Sequence, residues 1–351
     1  MTRYLPFLFL VLAACSSTNG DTDDLTPADT TLRGVAKDMN LYIGAAVGTD
    51  LQLRDPRYAS VLAREFSIVT AENAMKPGPL RPNAQTFAWA DADELVSFAQ
   101  THQIAVRGHT LVWHESIPTW MSSPTWSNAQ VEAMLREHIL TVAAHFKGKV
   151  VAWDVVNEAV DNDATMRRSM WYTKVGADYI EKAFRWAREA DPDAKLFYND
   201  YGIEGRGAKS DAVYNLVRDL VNKGVPIDGV GLQMHVTAAS PVSKADLAWN
   251  MARLAALGLE VHITEMDVRI PIPATGAALI QQASVYRNTL DACIEQPACT
   301  AFILWGFTDK YSWVPGFFDG FGDALIFDAE FEPKLAYTVM RDGLSQSTRG
   351  R

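Results

Sequence analysis

The sequence predicts an α/β protein built as a single (β/α)8 TIM barrel, on three observations. Short apolar runs alternate with longer helical patterns eight times between residues 41 and 344. The runs are rich in Val, Ile, Leu and aromatics and nearly continuous, as strands covered on both faces are. Polar and aromatic residues gather at the C-terminal tips of these runs, the end at which a barrel builds its active site.

The spacing places strands over 41–46, 67–71, 104–110, 150–157, 194–199, 229–233, 260–264 and 301–305. Helices are expected over 56–66, 92–102, 128–146, 172–190, 210–223, 244–257, 276–294 and 333–344. Ser127 or Asn128 supplies a cap for the third helix, and Gly258 is a stop for the sixth. The competing architecture, a doubly wound open sheet, would carry a glycine-rich phosphate loop after its first strand. Here Gly44-Ala-Ala-Val-Gly48 lacks that spacing and runs into polar residues. No linker, repeat or composition shift divides the expected barrel domain, 32–345.

The chain has 351 residues, 48% of them hydrophobic, enough for one large core. Its net charge of −10, with no Lys/Arg-rich run, argues against a nucleic-acid partner. Residues 1–15 read as an export signal: a basic Arg3, then an apolar stretch too short to span a bilayer, ending in Leu12-Ala13-Ala14-Cys15. That ending resembles the bacterial lipoprotein signal, in which the cysteine is lipidated. Cys15 is therefore the expected anchor, with the outer membrane favoured because Ser16 follows it. Without lipidation the protein would be secreted. Residues 16–31, rich in Ser, Thr, Asp and Gly, read as a flexible tether. In an exported chain Cys293 and Cys299 are either a disulfide or two buried thiols. The seven histidines show no metal-ligand spacing, so neither metal nor cofactor is expected, and the barrel is expected to be a monomer.

Chemistry enters with two glutamates, each closing an apolar run: Glu158 after Trp153-Asp-Val-Val-Asn157, and Glu265 after Leu259-Glu-Val-His-Ile-Thr264. A carboxylate at the tip of a buried strand carries a desolvation cost. Two on different strands fit a shared site in which one gives a proton and the other attacks. A lone strand-end Glu is more often structural, but here seven strands present hydrogen-bonding groups at one rim. Indoles beside amides suit sugars, whose apolar C–H faces stack on rings and whose hydroxyls need paired donors and acceptors. Trp113, Trp305 and Trp313 lie at strand tips, whereas Trp153 and Trp186 read as scaffold.

Six segments carry a specific resemblance. They are Trp153–Ala159, Val261–Asp267, Thr70–Lys76, Gly108–His114, Asp228–His235 and Trp305–Trp313. Taken together, and matched in the family's expected order along the chain from about 41 to 337, they make the sequence resemble glycoside hydrolase family 10, the endo-β-1,4-xylanases. The resemblance implies a retaining hydrolase of xylan and xylo-oligosaccharides, with Glu265 as nucleophile and Glu158 as acid/base. It implies that the charge of Glu265 keeps Glu158 protonated at rest, and that carboxyls some 5–5.5 Å apart react by double displacement. It gives His235 the task of orienting Glu265, and Asn157 the sugar 2-hydroxyl. Gln233 would sit near Glu158, and Glu72, Asn73 and Lys76 would bind glycone hydroxyls. His109 and Trp113 would line the cleavage subsite, with Trp305 and Trp313 over the glycone and Trp313 excluding hexoses. The loop of Tyr201 would bind on the aglycone side, where Gly202 replaces the family's usual Asn. The resemblance also favours a Cys293–Cys299 disulfide. Two rival readings are a non-catalytic surface glycan-binding lipoprotein, which has no need of both glutamates, and a β-1,4-glucanase of the same mechanism, which differs in substrate preference.

Overall fold

The computed structural model describes residues 1, 30–49 and 52–349. The expected signal, Cys15 and most of the tether lie outside the described residues. The strands are β1 (Tyr42–Val47), β2 (Ile68–Ala71), β3 (Ala105–Val112), β4 (Ala152–Asn157) and β5 (Lys195–Asp200). They continue as β6 (Gly229–Leu232), β7 (His235–Thr237), β8 (Glu260–Pro271), β9 (Cys299–Leu304) and β10 (Phe321–Gly322). β1 to β6 pair in parallel in chain order, β6 pairs β8, β8 pairs β9, and β9 returns to β1. Eight parallel strands thus close a barrel, the predicted (β/α)8 fold. β8 outruns its expected end by seven residues, from 264 to Pro271, because β7 pairs alongside it and β10 pairs antiparallel beyond the rim.

Helices cover the barrel, and their ends show why they start and stop there. Asp55 caps Pro56–Glu65 with Pro at the first turn, and Ser127 with Gln130 forms a capping box on Asn128–His145. The helix expected over 172–190 is in fact two, Met170–Lys174 and Tyr179–Ala190. Gly176 separates them with a φ of +113°, which a helix cannot accommodate. The last helix, Leu335–Arg349, is longer than its pattern indicated. Cys293 and Cys299 form the disulfide, with an S–S distance of 2.02 Å, joining the end of Gly276–Glu295 to the start of β9.

The main apolar core lies between barrel and helices, with Trp153 fully buried in it. Trp153 presses against β3 so closely that a Cβ on Gly108 would stand 2.2 Å from its ring. Inside the barrel only a small apolar plug, Ile68, Ala301 and Ile303, forms its own cluster. The interior also holds charge beside the buried Phe197 ring: Arg107 and Asp154 are 0% and 1% exposed and paired with each other. A buried guanidinium tolerates this only with its donors met. Arg107 also donates to His262 Nδ1 at 2.8 Å.

Candidate active site

The ladder hydrogen bonds run past the strand ends and fix the rim. Glu158 N–H donates to Asn199 O at 2.9 Å, Gln233 N–H to Asp200 O at 3.0 Å, and Glu265 N–H to Gln233 O at 3.0 Å. Glu158 adopts φ +57°, the left-handed region that a glutamate occupies at a cost of about 1 kcal/mol or more. The register of β8 on β9 shifts between Ile263 and Met266. Such an irregularity re-aims side chains beside active sites. After it, Glu265 and Asp267 both face His235 from one side of the strand.

The two carboxylates sit in one cleft but in different company. Glu158, 9% exposed, accepts from neutral donors: Trp113 Nε1 at 3.0 Å, Gln233 Nε2 at 2.9 Å and Asn157 Nδ2 at 3.2 Å. Glu265, 4% exposed, accepts from Asn199 Nδ2 at 2.7 Å and meets His235 Nε2 at 3.1 Å. His109 Nδ1 stands 4.0 Å from its other oxygen. Burial opposes the charge of Glu265, but the His235 hydrogen bond and the two imidazoles outweigh it and hold the carboxyl below its ordinary range. His235 is pinned at its far nitrogen, Nδ1, 2.7 Å from Asp267 Oδ2. Burial works against its protonation, yet Asp267 and Glu265 raise its pKa to about 10. At neutral pH it is an imidazolium donating to both carboxylates. The two glutamates are joined through amides: Asn199 Nδ2 also donates to Asn157 Oδ1 at 2.8 Å.

The floor of the cleft is anchored in the barrel interior. Asp154 accepts from Arg107 and meets His109 Nδ1 at 3.0 Å. Burial works against its charge, but Arg107 and His109 keep it below the carboxylate range. Arg107 can only donate, so His262 Nδ1 must accept and the proton of His262 sits on Nε2. That nitrogen meets Thr300 Oγ1 at 2.8 Å, and Thr300 donates to Glu260 at 3.0 Å. Burial, with Arg107 close by, depresses the pKa of His262 to about 4, so it is neutral.

The cleft encloses about 680 Å³ and is lined by every candidate catalytic or sugar-binding residue except Glu72 and Asn73. Glu72 lies in an adjoining hollow with Trp305 and Trp313, and Asn73 Oδ1 holds Lys76 Nζ at 2.9 Å. Lys76 sits 5.0 Å from the Trp113 ring and 5.7 Å from that of Trp305. Burial pulls its pKa down against the pull of the surrounding glutamates. Trp313 donates its indole N–H to Asp267 at 2.8 Å and packs edge-on to His235. Tyr201 lies under Lys209, whose Nζ is 3.4 Å from the ring centroid and 2.8 Å from Asp200. Gly202 has a φ of +67°, a conformation that Gly and Asn both adopt, so the departure from Asn preserves the backbone.

Sequence reasoning gave no task to Asp267, Asp154, Asn199 or Arg167, all of which hold the site's polar groups. Asp267 was within reach: it follows Glu265 by two residues on a strand, and alternate residues share a face. Asp154 was visible as a charge inside an apolar run. Arg167 donates its Nε–H to the Glu158 carbonyl from a loop, at 2.9 Å, and left no periodic signal.

The fold and sequence match known proteins along nearly the whole described chain. The profile of glycosyl hydrolase family 10 matches residues 31–343. Endo-1,4-beta-xylanase B of Thermotoga neapolitana is 44% identical over 350 residues, 99% of each chain. Native xylanase 10B of Thermotoga maritima superposes with a TM-score of 0.89 at 46% identity, covering 92% of this chain and 100% of that one. Xylanase 10B of Thermotoga petrophila, solved with xylobiose, gives 0.88 at 45% identity, covering 90% of this chain and 97% of that one. With a barrel and rim of this architecture matched along nearly its whole described length, the chain belongs to glycosyl hydrolase family 10.

Proposed function

We propose that the protein is a retaining endo-1,4-β-xylanase in which Glu265 is the nucleophile and Glu158 the acid/base. The observation that carries this is the unequal environment of the two carboxylates. Glu265 is held ionised by an imidazolium, as a nucleophile must be, whereas Glu158 accepts from neutral amide and indole donors, and the imidazole 3.9 Å from it, His114, has its pKa lowered by burial. In the first step a Glu265 oxygen forms a bond to the anomeric carbon while the glycosidic bond breaks and Glu158 gives its proton to the leaving oxygen. In the second, Glu158 takes a proton from water, whose oxygen displaces Glu265 and regenerates both groups. Asn157, buried at 3% exposure and linked to both glutamates, is placed for the 2-hydroxyl of the reacting sugar. The named activities of the relatives and the xylobiose complex support xylan as substrate.

Proton NMR of the first products tests the mechanism: the β-anomer should appear first, and an initial α-anomer would overturn the role of Glu265. Glu265→Ala should abolish reducing-sugar release from xylan while leaving the thermal transition cooperative. Wild-type protein that binds xylan without cleaving it would favour the glycan-binding reading, and faster cleavage of carboxymethyl-cellulose would favour the glucanase. Cys15 and the signal before it lead us to propose that the enzyme is lipid-anchored at the outer membrane. Palmitate labelling that survives Cys15→Ser would refute the anchor.

A further inference from the structure

Besides the His235 imidazolium, three cations line the cleft, Lys76, Arg167 and Arg269, and two of these have partners. Lys76 donates to Asn73, and Arg167 donates to the Glu158 carbonyl and faces Asp161 at 3.5 Å. The third, Arg269, makes no ion pair among the described residues. It lies four residues beyond Glu265 on β8, about 13 Å along the strand, and its backbone carbonyl is held by Ala238 N–H at 3.1 Å. Its guanidinium stacks on Phe318, 4.0 Å from the ring centroid, beside Phe317, which is 70% exposed. A guanidinium seated over a ring face is held by the ring quadrupole and still has N–H donors that match a carboxylate. The nearby Glu204 does not use it: Glu204 accepts instead from Gly202 N–H and Met234 N–H. A neutral xylan backbone has no charge for Arg269 to meet, and on a chain of net charge −10 an unpaired cation in the binding cleft asks for an anionic ligand.

We infer that Arg269, held on Phe318, is a binding site for the carboxylate of a uronate side chain on the polysaccharide. The inference rests on the xylanase reading above and narrows it to acidic, uronate-bearing xylan as a preferred substrate. The remoteness of Arg269 from Glu265 makes the contact one with a branch on a neighbouring sugar, not with the sugar undergoing substitution. The site therefore selects which bond of a decorated chain is presented to Glu158.

The test uses three oligosaccharides: unbranched xylohexaose, a xylo-oligosaccharide carrying one glucuronate branch, and the same compound with its carboxyl reduced to a neutral hydroxymethyl. The last pair differs in charge and hardly in bulk. The wild-type enzyme should favour the acidic over the reduced compound in kcat/KM by roughly fivefold at low salt, with the preference shrinking as salt screens the partly exposed pair. Arg269→Met should bring the ratio close to one, and Arg269→Lys should keep part of it. Equal rates on acidic and reduced compounds in the wild type, or a ratio that Arg269→Met leaves unchanged, would overturn the inference while leaving the xylanase assignment intact. Failure of the wild type to cleave unbranched xylohexaose would overturn the assignment, and this inference with it.

Discussion

Replacing Asp267 by Asn tests the electrostatic account of the nucleophile. Asp267 is fully buried, and its Oδ2 accepts from both His235 Nδ1 at 2.7 Å and Trp313 Nε1 at 2.8 Å. An asparagine keeps the shape and one acceptor but removes the charge that holds the proton on His235. The His235 pKa is raised from 6.5 to about 10 in the folded state. At ~1.4 kcal/mol per tenfold, that difference corresponds to at most about 5 kcal/mol of folding stability. The pKa is raised on folding, so this stability is fully present below pH 6.5 and is lost as pH rises through about 10. The variant forfeits the part that Asp267 supplies, the largest of the causes that raise it, and keeps the part from Glu265. Denaturant unfolding across the pH range should therefore show a gap between wild type and Asp267→Asn that is widest near pH 6.5 and narrows towards pH 10. A pH-independent offset will lie beneath it. Asp267 Oδ1 has no hydrogen-bond partner, so a new amide placed there is buried without an acceptor. The kinetic counterpart is an alkaline limb of kcat/KM displaced to lower pH, because His235 loses its proton sooner and releases Glu265. A gap that stays constant between pH 6.5 and 10 would refute the reasoning.

Other perturbations probe other parts of the site. Gly231→Ala would set a Cβ 2.1 Å from Asn199 Oδ1 and 2.8 Å from Thr264 Cγ2, pushing Asn199 off Glu265. It should cost about 1–3 kcal/mol of stability by overpacking and lower kcat together with it, and an unchanged kcat would remove Asn199 from the positioning of Glu265. His262→Phe leaves a buried Arg107 donor unmet and should destabilise by about 1–3 kcal/mol. His262→Gln, which still offers an acceptor, should recover much of this, and equal losses in the two would show that the acceptor is irrelevant. Joint Cys293→Ser and Cys299→Ser substitution opens a loop of separation 6, for which chain entropy predicts about 2 kcal/mol; calorimetry showing no change in Tm would contradict it.

The legible parts of this protein were those written in local pattern. Eight apolar runs between helical stretches are enough to name a barrel, because strands buried on both faces cannot hide their composition. Glu158 and Glu265 stood out for the same reason: a charge at the end of an apolar run must be compensated by something. The helix break at Gly176 and the length of β8 were less legible. A glycine is tolerated within many helices, and β8 is prolonged by pairing with β7 and β10, which the run itself does not contain.

The division of labour between the glutamates, as geometry, belongs to the tertiary structure. Asp154 meets Arg107 across 47 residues, and Arg107 meets His262 across 155. Inside a closed barrel such groups become neighbours because strands far apart in sequence lie side by side, and low polarity makes each partner decisive. The sequence by itself determined the fold class, the rim and the two carboxylates, since these follow from which residues resist water. Only the closed barrel decided that Glu265 would face an imidazolium, that Glu158 would face amides and an indole, and that Arg269 would line the cleft without a counter-charge. Those facts are distances between strands, and a one-dimensional pattern carries none.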